Sequence, residues 1–217
     1  MSKAFIFDMD GVLVDSERAW GEEEQLLLEE MFGSDIARDV NQTLGVSIGT
    51  TFEKAKTMGE SISYEAYLKR YDAAALKILA RAEITPKTDT LVARLKARGY
   101  RIGLVSSSPR AWIDKVLSRL TFSGAFDHVE SLFEHPELDP KPAPDGYLDA
   151  CRELGVAPED TVVLEDSNPG ITAAKAAGCF VIGFRGALPA LYEQIGADAY
   201  ADTMEKVIDI VTSFDDH

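Results

Sequence analysis

The chain has 217 residues, 46% of them hydrophobic, with 37 acidic against 22 basic side chains and a formal net charge of −15. That is enough apolar material for a sizeable core, as one domain or as one domain carrying an insertion. The acidic balance argues against a nucleic-acid surface, which needs clustered lysine and arginine, yet it leaves room for a small phosphorylated substrate, because a metal ion and one lysine can invert the local field.

The first element is an apolar run, Lys3-Ala4-Phe5-Ile6-Phe7, which ends abruptly in Asp8-Met9-Asp10-Gly11. In an open parallel sheet, ligands bind outside the carboxyl ends of the strands. Carboxylates at i and i+2 point to the same side while the backbone stays extended. Held that close they repel, and one pKa rises. A divalent cation with a taste for oxygen ligands, such as magnesium, removes the conflict. A bare D-x-D is also what an acidic turn looks like; its place after the first strand and before a glycine turns the reading toward a site.

After Val14-Asp15-Ser16 the pattern becomes helical. Residues 17–32 carry Trp20, Leu26, Leu27 and Met31 as an apolar stripe among glutamates, and 34–44, 50–58 and 63–82 also read as helices, the last opening at Ser63. No convincing strand interrupts them, so residues 15–83 are expected to be an all-helical insertion. From Pro86 the chain alternates: a helix at 87–98 stopped by Gly99, a strand at 100–105, a helix from Arg110, a short strand at 127–131 and a helix at 145–154. There follow a strand at 161–164, a helix from Pro169, a strand at 180–184, and helices at 188–195 and 203–213. Such alternation predicts a doubly wound, parallel-sheet, Rossmann-like α/β core, made of residues 1–14 and 84–217, with the helical segment inserted as a second domain.

Two more strands end in polar residues. Strand 100–105 runs into Ser106-Ser107-Ser108-Pro109, where hydroxyls and amides at a helix start suit either an anion or an ordinary N-cap. Strand 161–164 ends in Glu165-Asp166-Ser167, which reads either as a second acidic site or as charges favouring the next helix dipole. Between them, Lys141 lies in Asp139-Pro140-Lys141-Pro142-Ala143-Pro144-Asp145, where flanking prolines lower the entropy cost of holding a lysine in place. A solvated surface lysine is the plainer alternative. Cys151 and Cys179 have neither C-x-x-C spacing nor a histidine pair nearby, so buried thiols are expected instead of zinc or disulfide chemistry. With no basic segment leading into a long apolar run, and no stretch of about 20 apolar residues, the protein is expected in the cytoplasm, away from membranes.

Taken together, Asp8-Met9-Asp10-Gly11-Val12-Leu13-Val14-Asp15-Ser16, then Ser106, then Lys141-Pro142-Ala143-Pro144-Asp145, then Val163-Leu164-Glu165-Asp166-Ser167-Asn168-Pro169-Gly170-Ile171 resemble the haloacid dehalogenase-like hydrolases. The likeness is to their helical-cap branch of small-molecule phosphatases and β-phosphoglucomutases. Order and spacing agree over essentially the whole chain. The resemblance implies that Asp8 attacks phosphorus to form an aspartyl-phosphate and that Asp10 protonates the leaving oxygen and then activates water. It implies that Ser106, with Ser107 beside it, and Lys141 bind the phosphoryl group. Magnesium would be held by Asp8, the Asp10 carbonyl and Asp166, with Glu165 contributing directly or through water.

By the same resemblance residues 15–83 are the cap, which covers the sheet mouth and reads the rest of the substrate. Val46 and Ser47, in Leu44-Gly45-Val46-Ser47, match its specificity segment, although a plain turn at Gly45 explains them equally. The sequence also departs from the family. Trp20 stands where the mutases carry a histidine and Ile48 where an arginine usually follows, which favours hydrolysis over mutase chemistry. Pro140 replaces a frequent glycine before the lysine, after an unusual Glu134-His135-Pro136-Glu137 stretch. The expectation is a monomeric, magnesium-dependent phosphohydrolase of a small phosphorylated metabolite, with sugar phosphates as one candidate class. The alternatives are a phosphosugar mutase and a non-catalytic phospho-acceptor or binding protein on the same fold.

Overall fold

In a computed structural model that describes residues 3–40, 48–59, 61–188 and 192–215, six strands form one parallel sheet. They are β1 (Ala4–Phe7), β2 (Arg101–Ser106), β3 (His128–Ser131), β4 (Thr161–Glu165), β5 (Phe180–Phe184) and β6 (Ala199–Ala201), in spatial order β3-β2-β1-β4-β5-β6. The first strand pairs on both sides, Phe7 lying opposite Leu104 on one and Leu164 on the other. All four of its residues are buried, which is why it reads as a continuous apolar run. The strand order reverses at β1 and β4, and the crevice beyond their carboxyl ends is where such sheets bind ligands.

Side-chain alternation divides the core between the two faces of the sheet. Phe5, Phe7, Leu104, Leu164 and Phe184 pack on one face with α5 (Thr88–Ala97), α6 (Arg110–Leu117) and α9 (Met204–Asp215). Ile6, Val105, Val163 and Val181 pack on the other with α7 (Asp145–Leu154) and α8 (Asn168–Ala177). Both cysteines are free and buried. Among the described residues no helix is long and apolar enough to cross a membrane.

Between β1 and α5 lie α1 (Ser16–Phe32), α2 (Ser34–Val40), α3 (Ile48–Thr57) and α4 (Tyr64–Arg81). The chain enters and leaves this helical part side by side: Val14 bridges Ile84 antiparallel, Asp15 N–H donates to Glu83 O at 2.8 Å, and Thr85 N–H donates to Leu13 O at 3.0 Å. Capping sets two of the starts, with Asp15 accepting from Arg18 N–H and Ser63 from Ala66 N–H. Aromatic rings tie the helices to the sheet layer. Trp20 lies 5.7 Å from Tyr71 and 5.9 Å from Trp112 of α6, whose indole N–H donates to Asp72 at 2.8 Å. Trp20 is thus part of the packing between the helical part and α6.

The helix expected at 188–195 is absent at the described positions. Residues 186–187 form a turn and 192–195 carry no regular structure. Side-chain bonds compete with the helix there. Gln194, almost fully buried, donates through Nε2 to Asp166 O at 2.7 Å and to Phe184 O at 3.1 Å, and Asn168 bonds both Glu193 O and Ile195 N–H. The segment plugs the ends of β4 and β5 instead. The strand after it, β6, was not foreseen: Ala199-Tyr200-Ala201 is too short to carry a periodic signal.

Candidate active site

Asp8 follows β1 and stays in ladder register, its N–H donating to Leu164 O at 3.0 Å. It is 7% exposed. Lys141 Nζ reaches across from the proline-framed loop and donates to Asp8 Oδ1 and to Glu165 Oε1, each at 2.6 Å. The lysine is buried, so it is not a solvated surface group, and its ammonium stands 5.1 Å over the Tyr147 ring. Burial alone would lower the Lys141 pKa, but Asp8 and Glu165 together push it well above its ordinary value and keep it charged.

Glu165 is fully buried, and both its oxygens are engaged within the protein. Oε1 accepts from Lys141 and from Tyr147 OH at 3.0 Å; Oε2 accepts from Ser167 N–H at 2.9 Å and Ser167 Oγ at 3.0 Å. The arrangement turns both oxygens toward partners within the protein, Lys141 foremost. Gly170 makes this possible, since a Cβ there would come 1.7 Å from Glu165 Oε1.

Asp10 sits two residues past Asp8 and is gripped from both sides. Ser16 Oγ donates to Oδ1 at 2.7 Å and Ser108 Oγ to Oδ2 at 2.8 Å. Burial raises its pKa above the ordinary carboxylate value, against the pull of those two hydroxyls. Ser106, at the end of β2, is buried and accepts the Ser108 N–H at 3.1 Å, while Ser107 is half-buried in the same bend. None of the three serines caps α6, which begins after Pro109 without a side-chain cap bond, so the capping alternative falls away. Val46 and Ser47 lie outside the described residues. Ser108, one of the three serines expected near an anion, bonds Asp10 instead. Ser16 and Tyr147 carry no signal of a site role in the sequence: Ser16 opens a helix, and Tyr147 reads as an ordinary core position of an amphipathic helix.

Asp166, 5% exposed, closes the cluster. Gly11 has φ +69°, and a Cβ there would fall 1.9 Å from Asp166 Oδ2, so the carboxylate packs directly against the Asp8–Gly11 turn. Asp8, Asp10, Glu165 and Asp166 line the ends of β1 and β4, and Lys141 is the cation bonded to Asp8 and Glu165. Burial raises the Asp8 pKa well above its ordinary value of 3.8 against the pull of Lys141, and the neighbouring Glu165 and Asp10 carboxylates add to the rise. A buried site short of positive charge, with only oxygen donors, fits a hard divalent cation.

A family model described as haloacid dehalogenase-like hydrolase matches residues 2–178. The chain belongs to the haloacid dehalogenase-like hydrolases. It is 35% identical over 179 residues to hexitol phosphatase B of Escherichia coli K12, covering 80% of this chain and 79% of that protein. It is 31% identical over 216 residues to β-phosphoglucomutase of Bacillus subtilis, covering 90% and 87%. Among solved structures, a haloacid dehalogenase-like protein of unknown function from Agrobacterium tumefaciens superposes with a TM-score of 0.76 at 26% identity over 99% of both chains. The Clostridium difficile β-phosphoglucomutase superposes at 0.75 over all of both chains; at 22% identity this speaks for the fold alone. This family member is an enzyme with a Rossmann-like core and an inserted helical cap.

Proposed function

We propose that this enzyme is a magnesium-dependent phosphomonoester hydrolase acting on a small phosphorylated metabolite, with sugar or polyol phosphates as the favoured class. The pairing of Asp8 with Asp10 carries the reading: one carboxylate is bonded to a buried lysine, and its neighbour is fixed by two hydroxyls. Such a pair suits one group that attacks and one that moves a proton. The relatives named hexitol phosphatase and β-phosphoglucomutase support the substrate class.

An Asp8 carboxylate oxygen attacks phosphorus while the bond from phosphorus to the leaving oxygen breaks. Protonated Asp10 gives its proton to that oxygen, leaving an aspartyl-phosphate and the free alcohol. Asp10, now a base, takes a proton from water as the water oxygen attacks phosphorus. The bond to Asp8 breaks, inorganic phosphate leaves, and both carboxyls return to their starting states. Ser106, with Ser107, and Lys141 bind the phosphoryl oxygens, and Lys141 also holds the Asp8 rotamer. Glu165 acts through Lys141 as a positioning residue. Asp8, the Asp10 carbonyl and Asp166 would hold magnesium, which when bound offsets the repulsion between an anionic nucleophile and an anionic substrate.

Residues 15–83 form the cap in this reading, with 1–14 and 84–217 as the catalytic core, and the enzyme works as a cytoplasmic monomer. The deciding experiment is phosphate release from a panel of hexitol phosphates, sugar phosphates and β-glucose 1-phosphate, with magnesium and with EDTA. The expected result is magnesium-dependent release from one or a few compounds, abolished in a folded Asp8→Asn variant. Conversion of β-glucose 1-phosphate to its 6-phosphate with little release would replace hydrolase by mutase. Turnover retained in Asp8→Asn would remove Asp8 as nucleophile.

A further inference from the structure

Two of the chain's three histidines converge on one carboxylate outside the catalytic cluster. On the edge strand β3, Val129 packs into the core on the α5–α6 side, so His128 and Glu130 point to the face that α7 covers. Glu130 is 5% exposed, yet its ionic partners among the described residues are imidazoles. His128 Nε2 lies 3.1 Å from Oε2, and His135 Nε2, from the unusual Glu134–Glu137 stretch, lies 3.2 Å from Oε1. Asp149 of α7 completes the group: His128, Glu130 and Asp149 each offer one ligand atom, all within 4.8 Å of one another.

The surroundings match a metal centre in a further respect. Imidazole ligands characteristically bind a carboxylate through the second ring nitrogen, which fixes the ring and aims the first. His135 Nδ1 lies 2.8 Å from Glu137 Oε1, which leaves Nε2 directed at Glu130. The competing interaction is Arg152, which pairs with Asp149; its side chain is 69% exposed and also reaches Glu153, so it can leave for solvent without rearranging the core.

We propose that His128, Glu130 and Asp149, joined by the exposed His135 ring as it swings in from Glu130, form a metal site, separate from the catalytic carboxylates, that takes a borderline transition ion such as Zn2+ in preference to magnesium. Two imidazole nitrogens with two carboxylates are a donor set that zinc uses and magnesium avoids. The ion takes the place of protons that lie between the imidazoles and Glu130, so its affinity falls as the histidines become protonated. The ligands come from β3, from the segment after it and from α7, so a bound ion braces both ends of the stretch that carries Lys141.

The test is equilibrium dialysis of the intact protein against Zn2+ alone and against Zn2+ with excess magnesium, near neutral pH. The expected result is one zinc per chain that excess magnesium does not displace. His135→Ala, at a half-exposed position that leaves the fold intact, lowers the affinity at least about tenfold, and Glu137→Gln, which removes the orienting carboxylate, lowers it by roughly tenfold. Co2+ in place of Zn2+ gives strong visible absorption bands of four-coordinate geometry, lost in His135→Ala. Zinc that magnesium displaces, or that binds His135→Ala and His128→Ala as tightly as the natural chain, overturns the proposal. Should His128→Ala fail to fold, His135→Ala decides alone.

Discussion

Replacing Lys141 by methionine removes the ammonium, keeps most of the stem's volume, and leaves Asp8 and Glu165 buried without the group that lay 2.6 Å from each. The cheapest response open to the variant is for one of these carboxyls to bind a proton. Breaking a buried pair by deleting one partner typically costs about 3–5 kcal/mol. Burial already holds the Asp8 pKa above its ordinary value in the natural protein, which makes that proton easier to bind, so a loss at the lower end, about 3 kcal/mol, is expected. At about 2–4 °C per kcal/mol for a chain of this size, the midpoint of thermal unfolding falls by roughly 6–12 °C. The pH dependence gives the sharper signature. Without the ammonium the folded variant keeps a carboxyl protonated to higher pH than its unfolded chain does, so its stability falls as pH rises above the ordinary carboxylate range. In the natural protein the raised Asp8 and Asp10 carboxyls give a slope of the same sign, and losing Lys141, which pulls both down, steepens it. Urea unfolding in EDTA at several pH values measures both effects. A second Glu165→Gln change should recover part of the loss and flatten the slope. A Lys141→Met variant within about 1 kcal/mol of the natural protein near neutral pH, or a loss that does not vary with pH, would refute the reasoning.

Other outcomes follow from single contacts. Gly170→Ala places a Cβ 1.7 Å from Glu165 Oε1, so Glu165 must leave Lys141; about 2 kcal/mol of stability and at least tenfold in kcat should go together, and an unchanged melting temperature would show that the Glu165 cradle has slack. Ser108→Ala and Ser16→Ala each remove one hydroxyl from Asp10, at about 1.5 kcal/mol for a bond to a charged group; kcat should fall roughly tenfold with little change in KM, and a pure KM effect would argue for substrate contact instead. Asp127→Asn should cost about 1 kcal/mol, a modest figure because the ion pair is partly solvated. Partial burial would raise the Asp127 pKa, but the bond from Lys96 and the Ile102 N–H hold it below the ordinary 3.8. Its stabilisation is therefore present above about pH 4 and is lost as pH falls through the lowered value. Chemical denaturation should show the natural protein and Asp127→Asn converging in acid; a gap that stays constant would place the contribution elsewhere.

The amino-acid sequence by itself determined the layered fold, because burial on both faces makes β1, β2, β4 and β5 continuous apolar runs with polar residues at their ends, and because Gly99 and Ser63 mark helix boundaries through local chemistry. The residue types of the candidate site were legible for the same local reason: an acid pair at a strand end, a proline-framed lysine and a second acid pair stand out one segment at a time. Only tertiary structure decided how they are shared. Glu165 faces Lys141 because Tyr147 and Ser167 supply its remaining partners, and Asp10 is fixed by Ser16, at the start of the helical insertion, and by Ser108, well beyond its end. The unwound segment around Gln194 is equally non-local, since its side chain finds backbone carbonyls on β4 and β5 that no pattern in residues 188–195 announces. Asp149 comes to His128 and Glu130 for the same reason. Contacts between segments far apart in the chain leave no period and no propensity behind them, so folding alone brings them into view.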